Sequence, residues 1–112
     1  MSLERAKKVD ELIKRELGRI FLREIEAPEG SLITITQAET SPDLLEARVW
    51  ISVFPIHFAG RIMKEINRKI GYLQGLLNRR LIIYPLPRIR FILDQTEEKA
   101  DEIEKVFDKI KK

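Results

Sequence analysis

Hydrophobic residues in the first part of the chain recur with the period of a helix. Between residues 5 and 25 they are spaced by three and four positions, with lysine, arginine and glutamate between them: Val9, Leu12, Ile13, Leu17, Ile20, Phe21 and Ile25. This spacing puts them on one helical face. Ala27-Pro28-Glu29-Gly30 then ends the helix, because proline lacks an N–H donor and glycine permits a turn. The pattern predicts an amphipathic helix over residues 5–25.

The period then changes from that of a helix to that of a strand. Ile33 and Ile35 alternate with Thr34 and Thr36 within residues 32–39, which is typical of a strand with one buried face. After the turn-forming Thr40-Ser41-Pro42-Asp43, a second alternation pairs Ala47, Val49, Ile51 and Val53 with Arg48, Trp50, Ser52 and Phe54. A hairpin is predicted. Trp50 and Phe54 could stack on bases, but burial under a helix is the favoured interpretation.

A second helical pattern begins near His57. Its apolar residues recur every four positions at Phe58, Ile62, Ile66 and Ile70, and after Gly71 the spacing continues at Leu73, Leu76, Leu77 and Leu81. Gly71 and Gly75 each cost about 1 kcal/mol relative to alanine inside a helix. The pattern therefore predicts a kinked helix, or two helices that meet near Gly71.

The last part of the chain returns to a strand and then to a helix. Prolines 85 and 87 end the helix, and residues 88–93 predict a strand with Ile89, Phe91 and Leu93 facing the core and Arg88 and Arg90 on the other face. Thr96 can cap a final helix with a buried side formed by Ala100, Ile103, Phe107 and Ile110. The resulting order of elements indicates one α+β domain over residues 1–112.

Composition excludes several classes of site. The 112 residues include no cysteine and one histidine, so there is no disulfide, thiolate zinc site, cysteine nucleophile or histidine-rich metal site. Glu39, Asp43 and Glu46 surround one turn, but their spacing fits no known cation loop, and turn capping by Ser41 and Asp43 explains them better. No stretch approaches the roughly 20 apolar residues that cross a bilayer. We expect a cytoplasmic, monomeric protein without catalytic residues, metal, cofactor or small-molecule substrate.

Positive charge is concentrated in the middle of the chain. Residues 61–90 contain eight basic residues and one acid, Glu65, although the formal net charge of the whole chain is only +3. Such a segment suits a polyanion, because each lysine or arginine that neutralises a phosphate releases condensed counterions. A solvated helix face is the alternative explanation, and charge alone does not decide between the two.

Four stretches of sequence resemble the ribosome-binding factor A family of bacterial small-subunit maturation factors. They are residues 33–44, Ala47-Arg48-Val49-Trp50-Ile51-Ser52, Gly71-Tyr72-Leu73 with Leu76-Leu77, and Pro87-Arg88-Ile89-Arg90-Phe91 with Asp94-Gln95-Thr96. Their order and distances match the family over nearly the whole chain. Three positions depart from the family pattern: Lys69 replaces a usual alanine, Gln74 a usual basic residue and Arg88 a usual acid.

The resemblance implies a fold and a function. The fold is a type II KH-like domain with the order α-β-β-α(kink)α-β-α and a three-stranded sheet with helices on one face. Gly71 matches the small-residue kink that replaces the two-glycine loop of other KH domains. The implied function is non-catalytic: binding of the free or immature 30S subunit through 16S rRNA, help with late maturation and 16S rRNA processing, and often a role in growth in the cold.

Charge and resemblance together select the candidate RNA-binding residues. They are Arg61, Lys64, Arg68, Lys69, Gly71, Arg79, Arg80, Arg88 and Arg90. Arg88 and Arg90 could instead pair with Glu39 or Glu46 across the sheet. Two other functions remain open: a generic RNA-binding KH module, and a protein-interaction domain whose basic face meets an acidic partner.

Overall fold

The computed structural model describes residues 3–83 and 86–95. Within these ranges the elements are α1 (Leu3–Glu24), β1 (Leu32–Thr40), β2 (Glu46–Phe54), α2 (Ala59–Arg68), α3 (Ile70–Arg80) and β3 (Arg88–Leu93), with a short 3-10 turn at Ile56–Phe58 before α2. Each predicted helix and strand up to residue 93 is present. The last helix, predicted to begin at Thr96, lies outside the described residues.

The three strands form one mixed sheet in the order β1-β2-β3. β1 and β2 form the antiparallel hairpin, whereas β2 and β3 are parallel, with Ala47 opposite Ile89 and Ile51 opposite Leu93. A parallel neighbour requires a crossover connection, and α2 and α3 supply it. All three described helices pack on the same face of the sheet, α1 mainly over β1 and α2 over β2 and β3.

A β-bulge at Thr36 changes which residues of β1 face the helices. Ile35 pairs with Ile51 and Gln37 pairs with Trp50, so Thr36 is the extra residue. Strict alternation from Ile35 would put Gln37 and Glu39 in the core. The bulge instead turns Ala38 and Thr40 inward, and Thr40 is 5% exposed. The hydrophobic face therefore continues to the end of the strand.

The core lies between the helix layer and the inner face of the sheet. Ile13 and Leu17 of α1 and Ile51 of β2 have no exposed surface. Burial of a side chain of this size contributes about 1.5–3 kcal/mol relative to exposure. The same layer includes the predicted stripes of α2 and α3: Ala59, Ile62, Ile66, Leu73 and Leu77.

The other face of the sheet carries no described helix. Trp50 is half-buried and Phe54 is 58% exposed on that face, because the helices cover the alternate residues Val49 and Val53. The prediction that a helix buries Phe54 is therefore wrong. No helix within residues 3–83 and 86–95 covers Trp50 either.

Candidate nucleic-acid interface

The nine predicted RNA-binding residues lie on two opposite faces of the domain. Seven belong to α2, α3 and the junction between them. Arg88 and Arg90 alternate with the buried Ile89 and Phe91 in β3, so they lie on the sheet face away from the helices. The tertiary structure therefore divides the basic segment into a helix surface and a sheet surface.

The outer side of α2 forms the most open cationic stripe. Arg61, Lys64 and Arg68 are spaced by three and four residues and are exposed, opposite the buried Ile62 and Ile66. The Arg68 side chain is 71% exposed and lies 3.9 Å from Glu65, an ion pair of little strength at such exposure. Neither Arg61 nor Lys64 has an ion-pair partner among the described residues. Three positive side chains therefore project into solvent along one line.

The break between α2 and α3 falls at Lys69. This residue has φ −96° and ψ 7°, and its N–H donates to the carbonyls of both Glu65 and Ile66, at 3.1 and 3.2 Å. Two helices therefore meet near Gly71, as predicted. Gly71 itself is an ordinary residue in the first turn of α3 and has no positive φ. Lys69 therefore interrupts the helix.

The side chain of Lys69 ties this junction to α1. Its ammonium group donates to the carbonyl of Glu24 at 3.1 Å and lies 3.5 Å from the carboxylate of Glu65. The last carbonyls of a helix lack intrahelical partners and favour a nearby cation. The Lys69 side chain is 29% exposed, so one part of it remains accessible while its charge stabilises the end of α1.

The exposed side of α3 is a bare backbone surface that ends in a cation. Gly71, Gly75 and Arg79 are each separated by four residues and share that side of the helix. A Cβ added at Gly71 or Gly75 would have no atom within 4 Å. Neither glycine is therefore required by packing within the domain. A phosphate could approach this backbone more closely than it could approach a helix with side chains.

Arg80 points toward α1 and pairs with a buried acid. Its Nη1 lies 3.4 Å from Oε2 of Glu16, while Arg15 and Arg19 each lie 3.6 Å from Oε1 of Glu16. Glu16 is only 8% exposed, and a buried carboxylate is costly unless it is paired. Glu16 was not predicted from the sequence. Its position within the apolar stripe of α1, between Ile13 and Leu17, was the available signal.

The sheet surface brings together three arginines, one of which was not predicted. Arg48 of β2 is the register partner of Arg90, and Glu46 is the partner of Arg88. No ion pair joins these arginines to an acid in the described ranges, so the suggested pairing with Glu39 or Glu46 is absent there. Trp50 and Ile92 are the next register pair on this surface.

A second basic surface borders the groove between α1 and the edge strand β1. The groove has a volume of about 1090 Å³, and its apolar floor includes Leu12 and Ile33. Five basic side chains line it: Lys7, Lys8, Lys14, Arg15 and Arg19. The first 60 residues also contain acids, Glu11 of the groove lining among them, so a charge count along the chain does not reveal this basic surface.

The acidic turn acts as predicted from its sequence. The Ser41 hydroxyl donates to Asp43 Oδ1 at 2.6 Å, and the N–H of Leu45 donates to the same oxygen at 3.0 Å. These hydrogen bonds, of which the one from Ser41 has the largest effect, lower the pKa of Asp43 from its ordinary value of 3.8.

The described residues contain no cluster of acids or histidine that could hold a metal ion. No described helix has the length and hydropathy to span a membrane.

Comparison with known proteins assigns the family. The model of the family described as Ribosome-binding factor A matches residues 5–107. The chain belongs to the ribosome-binding factor A family. The ribosome-binding factor A of Halothermothrix orenii is 32% identical to it over 112 residues, which cover 99% of this chain and 92% of the relative.

Solved structures of ribosome-binding factor A have the same fold. The crystal structure of the factor from Thermus thermophilus covers 79% of this chain and 94% of its own, with a TM-score of 0.67 at 20% identity. A model of the Thermus factor fitted into a cryo-EM map of a 30S complex covers 76% and 90%, with a TM-score of 0.63 at 24% identity. The predicted α+β, KH-like fold is confirmed.

Proposed function

We propose that this protein is a non-catalytic, cytoplasmic ribosome assembly factor. In this proposal it binds the free or immature 30S subunit as a monomer through 16S rRNA and assists late maturation and 16S rRNA processing. Family membership and the Thermus factor, which was fitted into a map of a 30S complex, support the partner. The exposed stripe Arg61, Lys64 and Arg68 is the observation in the structure that supports the mode of binding most directly.

The helix surface is the proposed RNA contact. Arg61, Lys64 and Arg68 supply positive charge along α2. Arg79 supplies it at the end of the exposed side of α3 that contains Gly71 and Gly75. Contacts to phosphate position a protein on RNA without reading its sequence. Each lost phosphate contact should reduce the slope of log affinity against log salt by about one. Selectivity for the 30S subunit would then depend on the shape of the RNA that fits α3.

Lys69 and Arg80 have a different proposed role from the four open cations. Their charged groups already contact Glu24, Glu65 and Glu16, so they hold α2 and α3 against α1. Their replacement would lower both stability and binding. RNA contact by Arg88 and Arg90 remains a prediction, and because they lie on the opposite face it requires separate variants.

Co-sedimentation with ribosomal particles tests the proposal. The protein would be mixed with free small subunits, assembled ribosomes and naked RNA at two salt concentrations. One variant replaces Arg61, Lys64, Arg68 and Arg79 with glutamine. A control variant replaces Lys7, Lys8, Lys14 and Arg23 with glutamine. It removes the same amount of positive charge from α1 and leaves the helix surface intact.

The outcomes separate the candidate functions. Selective binding to free small subunits that falls at least about tenfold in the first variant, and little in the control, supports the proposal. Equal binding to every RNA would replace it with a generic KH module. Loss of binding in both variants alike would reject a localised helix surface. Absence of RNA binding would favour a protein-interaction domain.

A further inference from the structure

One side of the groove between α1 and β1 is an open edge of the sheet. In the described part of the chain β1 pairs only with β2, so its other edge has no neighbouring strand. The residues of an antiparallel strand alternate in the direction of their backbone hydrogen bonds, so every second residue of β1 turns its N–H and C=O groups toward this edge. Such groups pair readily with a strand from another chain. Three residues of β1 line the groove: Ile33, Thr34 and Ile35.

The bulge at Thr36 confines the open edge to the beginning of β1. Residues 32–35 keep a regular register with β2, whereas the ladder is interrupted between Ile35 and Gln37. Bulges and charged side chains protect sheet edges from pairing with other chains. Both occur in the second half of β1, which contains the bulge and the exposed Glu39. The unprotected half is the half that lines the groove.

The floor of the groove is apolar and incompletely covered. Leu12 and Ile33 are half-buried, and Leu22, which also lines the groove, is 88% exposed. Gly18 leaves part of the α1 side without a side chain, and a Cβ added there would have no atom within 4 Å. Glycine inside a helix is destabilising relative to alanine, and packing among the described residues does not require it here. Apolar surface that is bordered by polar residues is typical of a site that binds another protein segment.

Positive charge surrounds this apolar floor. Of the residues that line the groove, five are basic and one, Glu11, is acidic. Lys7, Lys8 and Lys14 have no ion-pair partner in the ranges that the structure describes. A cleft lined by one sign of charge concentrates groups of the opposite sign. The groove therefore combines open backbone groups, apolar surface and cations that lack an acidic partner.

We propose that this groove binds an extended, acidic segment of a partner protein, which adds a strand to the edge of β1. Peptides that bind by strand addition gain affinity from main-chain hydrogen bonds and specificity from pockets for alternate side chains. The open edge of β1 supplies the hydrogen bonds. Apolar side chains of the segment pack on Leu12, Leu22 and Ile33, and its flanking acids contact the lysines of α1.

A protein segment fits this groove better than RNA does. Phosphate contacts require positive charge, but they use neither an apolar floor nor the backbone groups of a strand edge. The groove lies between α1 and β1, whereas the helix surface belongs to α2 and α3. The groove therefore binds its partner whether or not the helix surface binds RNA.

NMR of the isotope-labelled, full-length protein tests the proposal. The probe is a capped peptide with a Val-Ile-Val centre between two pairs of glutamates, so that either face of the extended peptide presents an apolar centre flanked by acids. Its addition should shift the amide signals of residues 32–35 and leave those of residues 61–68 unchanged. The same peptide with lysine in place of glutamate should bind at least about tenfold more weakly, because like charges repel. A peptide methylated on its backbone nitrogens, which cannot donate to β1, should also lose binding.

Two variants with the same net charge locate the site. In the first, glutamine replaces Lys7, Lys8 and Lys14, and the affinity for the acidic peptide should fall about tenfold because three exposed ion pairs are lost. In the second, glutamine replaces the three cations of the α2 stripe, and the affinity should stay within about twofold because those charges are remote and screened. Equal losses in the two variants would show attraction to net charge alone and would overturn the proposal.

Gly18→Leu tests whether the peptide enters the groove. The new side chain extends into the groove from a position where a Cβ has no neighbouring atom within 4 Å, so the domain should keep its thermal stability. Peptide binding should be lost, because the leucine occupies the space of the added strand. Binding to the 30S subunit should not change. Undiminished peptide binding by this variant would contradict strand addition in the groove.

Each alternative occupant has its own signature in the same spectra. Shifts at residues 32–35 that grow with protein concentration alone would indicate a second copy of the chain. Shifts there on addition of oligouridylate, without a response to the peptide, would indicate RNA. Either result, or no shift with the peptide in large excess, would overturn the proposal. None of these readouts depends on 30S binding, so the groove and the helix surface are tested separately.

Discussion

The side-chain amide of Gln74 acts as a strand partner for β3 by accepting a hydrogen bond from the N–H of Ile89 at 2.8 Å. Nε2 of Gln74 also donates to the carbonyl of Pro87 at 3.1 Å and to Oδ1 of Asn78 at 2.9 Å. β3 is an edge strand, so these backbone groups have no strand on that side. Gln74 thereby joins α3 to the segment that enters β3.

Replacement of Gln74 with alanine should therefore destabilise the domain. It removes both backbone hydrogen bonds, and we expect the free energy of unfolding to fall by about 1–2 kcal/mol. Urea denaturation measures this change. The exposed Gln37, whose side chain makes no hydrogen bond to a described residue, is the matched control, and Gln37→Ala should change stability by less than about 0.5 kcal/mol. Equal losses in the two variants would contradict the assigned role.

Gly71→Ala should raise the stability of the domain and lower its affinity for RNA. Space around Gly71 admits a methyl group, and alanine is the better helix former, so stability should rise by about 0.5–1 kcal/mol. RNA affinity should fall if a phosphate approaches this backbone. Gly18→Ala, in the interior of α1 with equal space, should give the same gain in melting temperature without loss of binding. Unchanged 30S binding by Gly71→Ala would argue against close approach.

Thr40→Val should stabilise the protein. The Thr40 hydroxyl is buried and has no hydrogen-bond partner among the described residues, whereas the backbone N–H of Thr40 donates to Asp10 at 2.6 Å. Valine keeps the shape and the backbone contact but removes the unpaired hydroxyl, for a gain of about 1 kcal/mol. Thermal unfolding measures it. Thr34→Val, on the exposed face of β1, is the control, and a loss of stability at Thr40 would show that its hydroxyl is satisfied.

The hairpin turn should weaken in acid. The lowered pKa of Asp43 means that its carboxylate is favoured in the folded state. Its contribution to stability is therefore present above the ordinary value of 3.8 and is lost as the pH falls through the lowered value. The difference in stability between the protein and Asp43→Asn should vanish in that range. An NMR titration should also show that Ser41→Ala raises the pKa of Asp43. A pKa at or above 3.8 in the unmodified protein would refute this account.

Local patterns were sufficient to predict the helices and strands up to residue 93. The three- and four-residue spacing of α1 and α2 and the alternation in β2 and β3 each reflect the geometry of a single segment, which is encoded in neighbouring residues. The Ser41–Asp43 turn was also predictable, because all its hydrogen bonds are made within six residues. The bulge at Thr36 was not predictable, since it depends on how the flanking residue Gln37 pairs with Trp50 in another strand.

The candidate site required the tertiary structure. Its residues were recognised from the basic segment and the family resemblance, but a charge count along the chain adds together side chains that point in opposite directions. The parallel pairing of β3 beside β2 places Arg90 next to Arg48, on the face away from Arg61. Partners far apart in sequence, such as Glu16 and Arg80, are brought together only by packing.

The sequence by itself thus determined the helices and strands, the turn and the chemical type of the surface. The tertiary structure decided which cations are open, which are paired and which face each one occupies. The physical reason is range: helix and strand periods repeat within a few residues, whereas ion pairs and exposure depend on contacts between segments that the folded chain brings together.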